Sequence, residues 1–176
     1  MRGDALLRTL RKIIPASSIS QLGERKGGSE LLKIGLYSSD DVMQPPARRG
    51  SSAYIVNTDF ARGPGEHYVA FYVVSGGDDR IVYYYDSYGV PPYDALLEWW
   101  RAWNVSILAY SPYVLQSPLS DACGYHVAAF LKCMSLGVDF DDFLNSFPVH
   151  LPTRGPHLLT ALDENDRLVK DFVTSF

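Results

Sequence analysis

The sequence predicts an α+β fold in which a mixed central β-sheet is flanked by helices. Two patterns predict it. Apolar runs around Tyr54, His67 and Ile81 have the length and the β-branched or aromatic content of strands, and glycine, proline and aspartate clusters separate them. Apolar residues at intervals of three and four recur instead near the N-terminus, after Asp94, after Cys123 and from Leu158 onward, which is helical spacing. With 176 residues, 47% of them hydrophobic and 20% charged, the chain suits one domain with its own core, and disorder is excluded for most of it.

Taken in order, Asp4 is placed to cap a helix carrying Leu6, Leu10, Ile13 and Ile14, which Pro15 ends. Residues 16–30, rich in serine and glycine, read as a linker, so that 1–30 form a helix and linker ahead of the core. Leu31 to Tyr37 is a short apolar run, and Ser38-Ser39-Asp40-Asp41 is suited to capping a turn of helix before Pro45-Pro46. Ser52 to Thr58 reads as a buried strand, and Asp59 to Glu66 as the loop that breaks it.

His67 to Val74 and Ile81 to Ser87 read as a β-hairpin. Pairing His67 directly with Asp86 closes it with residues 74–79 as the loop and sets the two side chains on one face. Asp94 to Trp103 reads as a helix whose Leu96, Trp99, Trp100 and Trp103 form a stripe for core packing rather than for stacking nucleobases. Val105 to Tyr110 is another strand. Val138 to Leu144 begins an acidic amphipathic helix, Pro148 to Pro156 is extended, and Leu159, Leu162, Leu168, Val169 and Phe172 give the tail helical spacing. The expected layout is a single domain over 1–176, with a core at 52–147 and an extension at 148–176.

The formal charge of −4 hides an asymmetry, because residues 1–50 sum to +4 and the remainder to −8. An acidic main body argues against broad nucleic-acid binding, and Arg8, Arg11, Lys12, Arg48 and Arg49 offer only a weak DNA contact. No apolar run is long enough for a bilayer span, and the N-terminus lacks a signal-type apolar region, so an intracellular, reducing location is expected. Cys123 and Cys133 lie ten positions apart on one predicted helix, about 15 Å at 1.5 Å per residue, too far for a disulfide. Neither they nor His67, His126, His150 and His157 show metal-ligand spacing, so no metal is expected.

The chemistry concentrates at Gln116 to Phe130. A polar loop runs into a helix at Cys123, and a thiol in a first helical turn is biased toward thiolate by the unpaired N–H groups and the helix dipole. Gly124 lets a substrate carbonyl approach the backbone. A carboxylate beside His67, supplied by Asp86, would fix the imidazole tautomer and stabilise its cation. His126 shares the Cys123 helix but has no carboxylate in view, and reads as a packing residue, as does Cys133.

His67 followed by an aromatic, Asp86-Ser87-Tyr88-Gly89 after the next strand, Gln116 seven positions before Cys123, and Cys123-Gly124 opening a helix together resemble the adenovirus maturation protease (adenain) family. The run Tyr54-Ile55-Val56-Asn57-Thr58 is similar to that family's lead-in to its histidine, and the order His, acid, Gln, Cys is shared with the wider clan of SUMO-specific and ubiquitin-like-specific proteases. The resemblance covers about Ile55 to Phe147. It implies a thiol-dependent endopeptidase with Cys123 as nucleophile, His67 as base and then acid, Asp86 as orienting acid, Gln116 and the Cys123 N–H as the oxyanion hole, and Tyr68 and Gly124 in the substrate cleft.

The implied partners are protein substrates, capsid or core precursors of a virus or mobile element cut at Gly-containing sites during particle maturation. The implied locations are host nucleus or cytoplasm and the virion, with a monomeric enzyme and no required cofactor. Three departures bear on this. Asp86 stands where adenain has Glu, although the SUMO-protease branch has Asp. Tyr68 stands where Trp is usual. No cysteine precedes Cys123, which excludes the disulfide-linked activating peptide of adenain, and the acidic body argues against activation by DNA. The alternatives are a protease acting on host ubiquitin-like conjugates, an acetyltransferase with the same residue order, and a binding module without turnover. Lys26-Gly27-Gly28-Ser29 raises self-cleavage as a further expectation, against which Arg25 occupies the position where an aliphatic residue belongs.

Overall fold

A computed structural model of the chain describes residues 3–13, 33–60, 67–148 and 157–176. The expected linker at 16–30, its Gly27-Gly28, most of the loop at 59–66 and nearly all of the 148–156 stretch lie outside the described residues.

Five strands form one mixed sheet in chain order: β1 (Lys33–Ser38), β2 (Arg49–Asn57), β3 (Tyr68–Gly76), β4 (Asp79–Tyr85) and β5 (Val105–Tyr110). β2, β3 and β4 are antiparallel neighbours, while β1 and β5 run parallel to β2 and β4 at the two edges. The α+β class expected from the sequence is the one observed. Helices are α1 (Gly3–Ile13), α2 (Asp94–Ala102), α3 (Cys123–Ser135), α4 (Phe140–Asn145) and α5 (His157–Thr174).

Alternation along the central strands sorts the apolar residues into two cores. On one face Ala53, Ile55, Ala70, Tyr72 and Tyr85 pack with Leu6 and Leu10 of α1, with Val127, Phe130 and Leu131 of α3, and with Phe143 and Val169 of α4 and α5. On the other face Tyr54, Val56, Phe71 and Tyr84 meet Leu96, Trp100 and Trp103 of α2. The tryptophan stripe is core, as its spacing suggested. α3 lies against β3, flanked by α1 and α5, and is therefore buried on most sides. Gly137, at φ +77°, ends it, with the Val138 and Gly137 N–H groups bonding back to the Cys133 and Met134 carbonyls.

Local details differ from the sequence reading. The hairpin pairs Ala70 with Tyr85 and Gly76 with Asp79, two residues out of the expected register. A two-residue turn at Gly77-Asp78, with Gly77 at φ +91°, replaces the longer loop, because a glycine at the first turn position matches the strand twist. His67 and Asp86 are consequently diagonal rather than direct neighbours, just beyond the same end of the sheet. Ser38 to Asp41 forms a turn closed by the Ser38 N–H on Asp41 Oδ2 at 2.7 Å, not a helix. β2 begins at Arg49, before the expected Ser52, and α1 begins at Gly3, which puts Asp4 inside its first turn rather than at the cap.

Candidate active site

Antiparallel pairing brings the residue before β3 and the residue after β4 to one end of the sheet. There His67 Nε2 donates to Asp86 Oδ1 at 2.9 Å. The same carboxylate oxygen accepts the Tyr88 backbone N–H at 2.8 Å, so Asp86 is held by its own loop before it holds the imidazole. Asp86 is 3% exposed. His67 is anchored too, since its carbonyl accepts the N–H of Thr58 at the end of β2.

Cys123 is the first residue of α3 and is buried, and the state of its thiol is set by the neighbouring His67 and the backbone of Tyr68. With Nε2 engaged by Asp86, Nδ1 is the ring nitrogen left for the sulfur. Burial pushes the His67 pKa down, but the hydrogen bonds to Asp86 and Cys123 and their negative charge outweigh it and raise it to about 9. Burial alone would raise the Cys123 thiol. The His67 hydrogen bond, the Tyr68 N–H and the charge of the imidazolium outweigh it and hold the thiol below its ordinary value. The two shifts favour a thiolate beside an imidazolium.

Of the remaining sequence candidates, Tyr68 presents its backbone to the sulfur while its ring packs against the first core. Gly124 is buried in the first turn of α3. Gln116, 1% exposed, lies in the loop before α3, laced to the Asp86 loop: Ser87 carbonyl accepts the Leu115 and Gln116 N–H groups, and Ser87 Oγ donates to Gln116 Oε1 at 2.7 Å. Gln116 Nε2 donates to the Ser120 carbonyl at 3.0 Å and to the Tyr88 hydroxyl at 3.1 Å. In this state both amide hydrogens are engaged. Gly89, at φ +67°, makes the lacing possible, because a Cβ there would come within 2.8 Å of the Tyr113 backbone.

The α3 start has no side-chain cap. Ala122 is the N-cap residue without a side-chain bond, and Ser120 Oγ instead accepts the Ala122 N–H at 3.4 Å. Within the first turn the Tyr125 N–H bonds back to the Ala122 carbonyl at 2.8 Å, and no side chain caps the N–H groups of Cys123 and Gly124 among the described residues.

His126 requires a larger correction, because it does have a carboxylate. Its Nε2 donates to Asp166 Oδ1 at 2.8 Å, and its Nδ1 accepts from the Tyr85 hydroxyl at 2.9 Å, all in the core. Burial outweighs Asp166 and lowers its pKa, so the ring is neutral, with the proton on Nε2. Asp166 also accepts the Ser117 N–H at 3.3 Å, while neighbouring Asn165 donates to the Leu115 carbonyl at 3.0 Å. Two consecutive side chains of α5 therefore grip the backbone on either side of Gln116. Sequence reasoning missed Asn165, Asp166 and Tyr88. Only Tyr88, inside the Asp86-to-Gly89 motif, carried any signal. Cys133 sits at the edge of the first core with its thiol raised by burial. Among the described residues no group of His, Cys, Asp or Glu could hold a metal ion, and no helix is long and apolar enough to cross a membrane.

No family model matches the chain, and no curated protein matches it. Among solved structures it is similar to the ASFV pS273R protease, at 22% identity and a TM-score of 0.45 over 66% of this chain and 43% of that one. AvrA delL154 with IP6 and CoA gives 14% identity and a TM-score of 0.44 over 93% of this chain and 68% of that one. The Legionella pneumophila effector RavZ gives 13% and 0.33 over 70% and 40%. The chain thus spans less than half the length of the ASFV protease. At such distances the roles of the site residues rest on this chain's own geometry.

Proposed function

We propose that the chain is a cysteine endopeptidase in which Cys123, His67 and Asp86 act as nucleophile, general base and acid, and orienting carboxylate. The observation that carries this reading is the 2.9 Å Asp86–His67 hydrogen bond next to a thiol in the first turn of α3, with the His67 and Cys123 pKa values both displaced toward the ion pair. A merely structural cysteine needs neither displacement.

In the reaction the Cys123 thiolate forms a C–S bond to the scissile carbonyl, and the carbonyl π electrons move onto oxygen. The N–H groups at the start of α3, that of Cys123 first, stabilise this oxyanion. His67 then passes its proton to the leaving amine as the C–N bond breaks. Water, losing a proton to His67, attacks the thioester and releases the acid and the thiolate. Asp86 keeps the proton on Nε2 and supports the imidazolium, without itself being protonated.

Peptide or protein substrates with glycine at the cut follow from the resemblance described above, as do particle precursors and an intracellular setting. The test is hydrolysis of Gly-Gly and Gly-x-Gly peptides read by mass spectrometry. Cleavage lost in Cys123→Ala and in His67→Ala supports the reading. Equal cleavage in Cys123→Ala would overturn it. Dependence on acetyl-CoA, or reaction with ubiquitin-type probes in place of these peptides, would redirect it to the alternative chemistries of the same residues.

A further inference from the structure

Resting on the protease reading, we propose that the Tyr88 hydroxyl, not the Gln116 amide directly, is the side-chain donor to the oxyanion, with Ser87 and Gln116 behind it as a polarising chain. The orientation of Gln116 is fixed by chemistry. The Ser120 carbonyl can only accept, so the side-chain nitrogen must face it, and the oxygen then faces Ser87 Oγ. Tyr88 lies on the nitrogen side and must therefore accept from Gln116. An accepting phenol still has its own proton to give, and among the described residues no acceptor takes it.

The position of Tyr88 suits that use. Its backbone N–H is on Asp86, its ring stacks on His67 with centroids 4.7 Å apart, and its hydroxyl is on Gln116. It therefore touches Asp86, His67 and Gln116 at once, and its charge state responds to Cys123. Burial raises its pKa first and the Cys123 charge adds to that, so the phenol stays protonated, as a donor must. Hydrogen bonds in series strengthen one another, so Ser87 to Gln116 to Tyr88 makes the terminal O–H a better donor than an isolated tyrosine. Gln116 then serves as a positioning residue, buried and fully bonded, and the partly exposed residue at the end of the chain meets the substrate.

Tyr88→Phe removes the hydroxyl and keeps the ring on His67. The expected result is a kcat lower by about a hundredfold, the scale for losing one oxyanion donor, with little change in KM. A glycine-ended peptide aldehyde, whose thiohemiacetal with Cys123 carries the same oxygen, should bind more weakly in proportion. Alkylation of Cys123 by iodoacetamide makes no oxyanion, and its rate and pH profile should match wild type. A variant that hydrolyses as fast as wild type, or faster, would overturn the proposal and make the phenol a plug. So would alkylation falling in step with kcat, which would assign the loss to His67. A wild type that neither hydrolyses the peptides nor captures the aldehyde removes the protease reading itself. That failure is distinct, because it appears before any substitution is made.

Discussion

At Cys123 and His67 the decisive quantity is which side of the pair holds the proton. With His67 raised to about 9 and the Cys123 thiol lowered, the ion pair exists between those limits, and the pair titrates as a unit. The pH profile of kcat/KM should therefore be a bell, its alkaline limb near 9 where the imidazolium is lost and its acid limb where the thiolate is protonated. Asp86→Asn leaves the shape of the site but withdraws the charge that raises His67. The alkaline limb should move down, and kcat should fall by up to about ten-thousandfold, the scale of the same change in a serine protease. An unchanged limb would mean that Asp86 is not what raises His67. The placement of these residues was legible in the sequence: a thiol at a loop-to-helix switch, and a histidine and an acid at facing strand ends. What Gln116 bonds to was not legible, since its partners Tyr88 and Ser120 are set by how two loops lie together, and no spacing rule encodes that.

Among the elements, the hairpin and α3 set the site, and α5 holds it in shape. The hairpin was readable from alternation, yet its register was misread by two residues, because the Gly77-Asp78 turn competes with several longer loops of equal appeal in the sequence. Either register keeps His67 and Asp86 on one face, which is why the pairing survived the error. The grip of α5 was unreadable. Asn165 and Asp166 look like solvent-facing residues of an acidic helix, some fifty positions from the loop they hold, and only tertiary packing buries them. Asp166→Ala leaves the His126 Nε2–H and the Ser117 N–H without an acceptor in the core. The expected cost is about 2–5 kcal/mol in urea unfolding, from two unsatisfied buried donors and a lost charged acceptor. The stable fraction should also lose kcat, because the Leu115-to-Ser117 backbone around Gln116 is freed. A variant as stable as wild type would show that water replaces the carboxylate. Filling the core from the other side, Phe130→Ala should cost about 3–5 kcal/mol through cavity formation alone.

For the whole molecule, the site leaves a signature in stability against pH. Between the ordinary histidine value of 6.5 and the ordinary thiol value of 9.0 the native pair holds its proton on His67, and the unfolded chain holds one on the cysteine instead. The proton counts match, so stability should be flat across that window. Below 6.5 the unfolded chain binds more protons, because the native thiolate and the buried neutral His126 both resist protonation, and stability should fall as pH falls. In Cys123→Ala the compensation disappears. Asp86 alone then opposes burial at His67, and if the carboxylate prevails the native state alone holds that proton and stability should decline as pH rises above 6.5. Urea midpoints at several pH values test this, and a flat variant curve would mean that His67 is not charged in the fold. The sheet-and-helix architecture was legible at this scale because apolar periodicity is a property of the chain, whereas proton placement is a property of the assembled site. The most direct measurement is the rate of iodoacetamide alkylation at Cys123 against pH, located by peptide mass, in wild type and His67→Ala. Fast alkylation persisting below pH 7 in wild type, and lost in the variant as its thiol returns to the ordinary range or above it, is the outcome expected of a thiolate held by an imidazolium. An ordinary thiol titration in both proteins would contradict it.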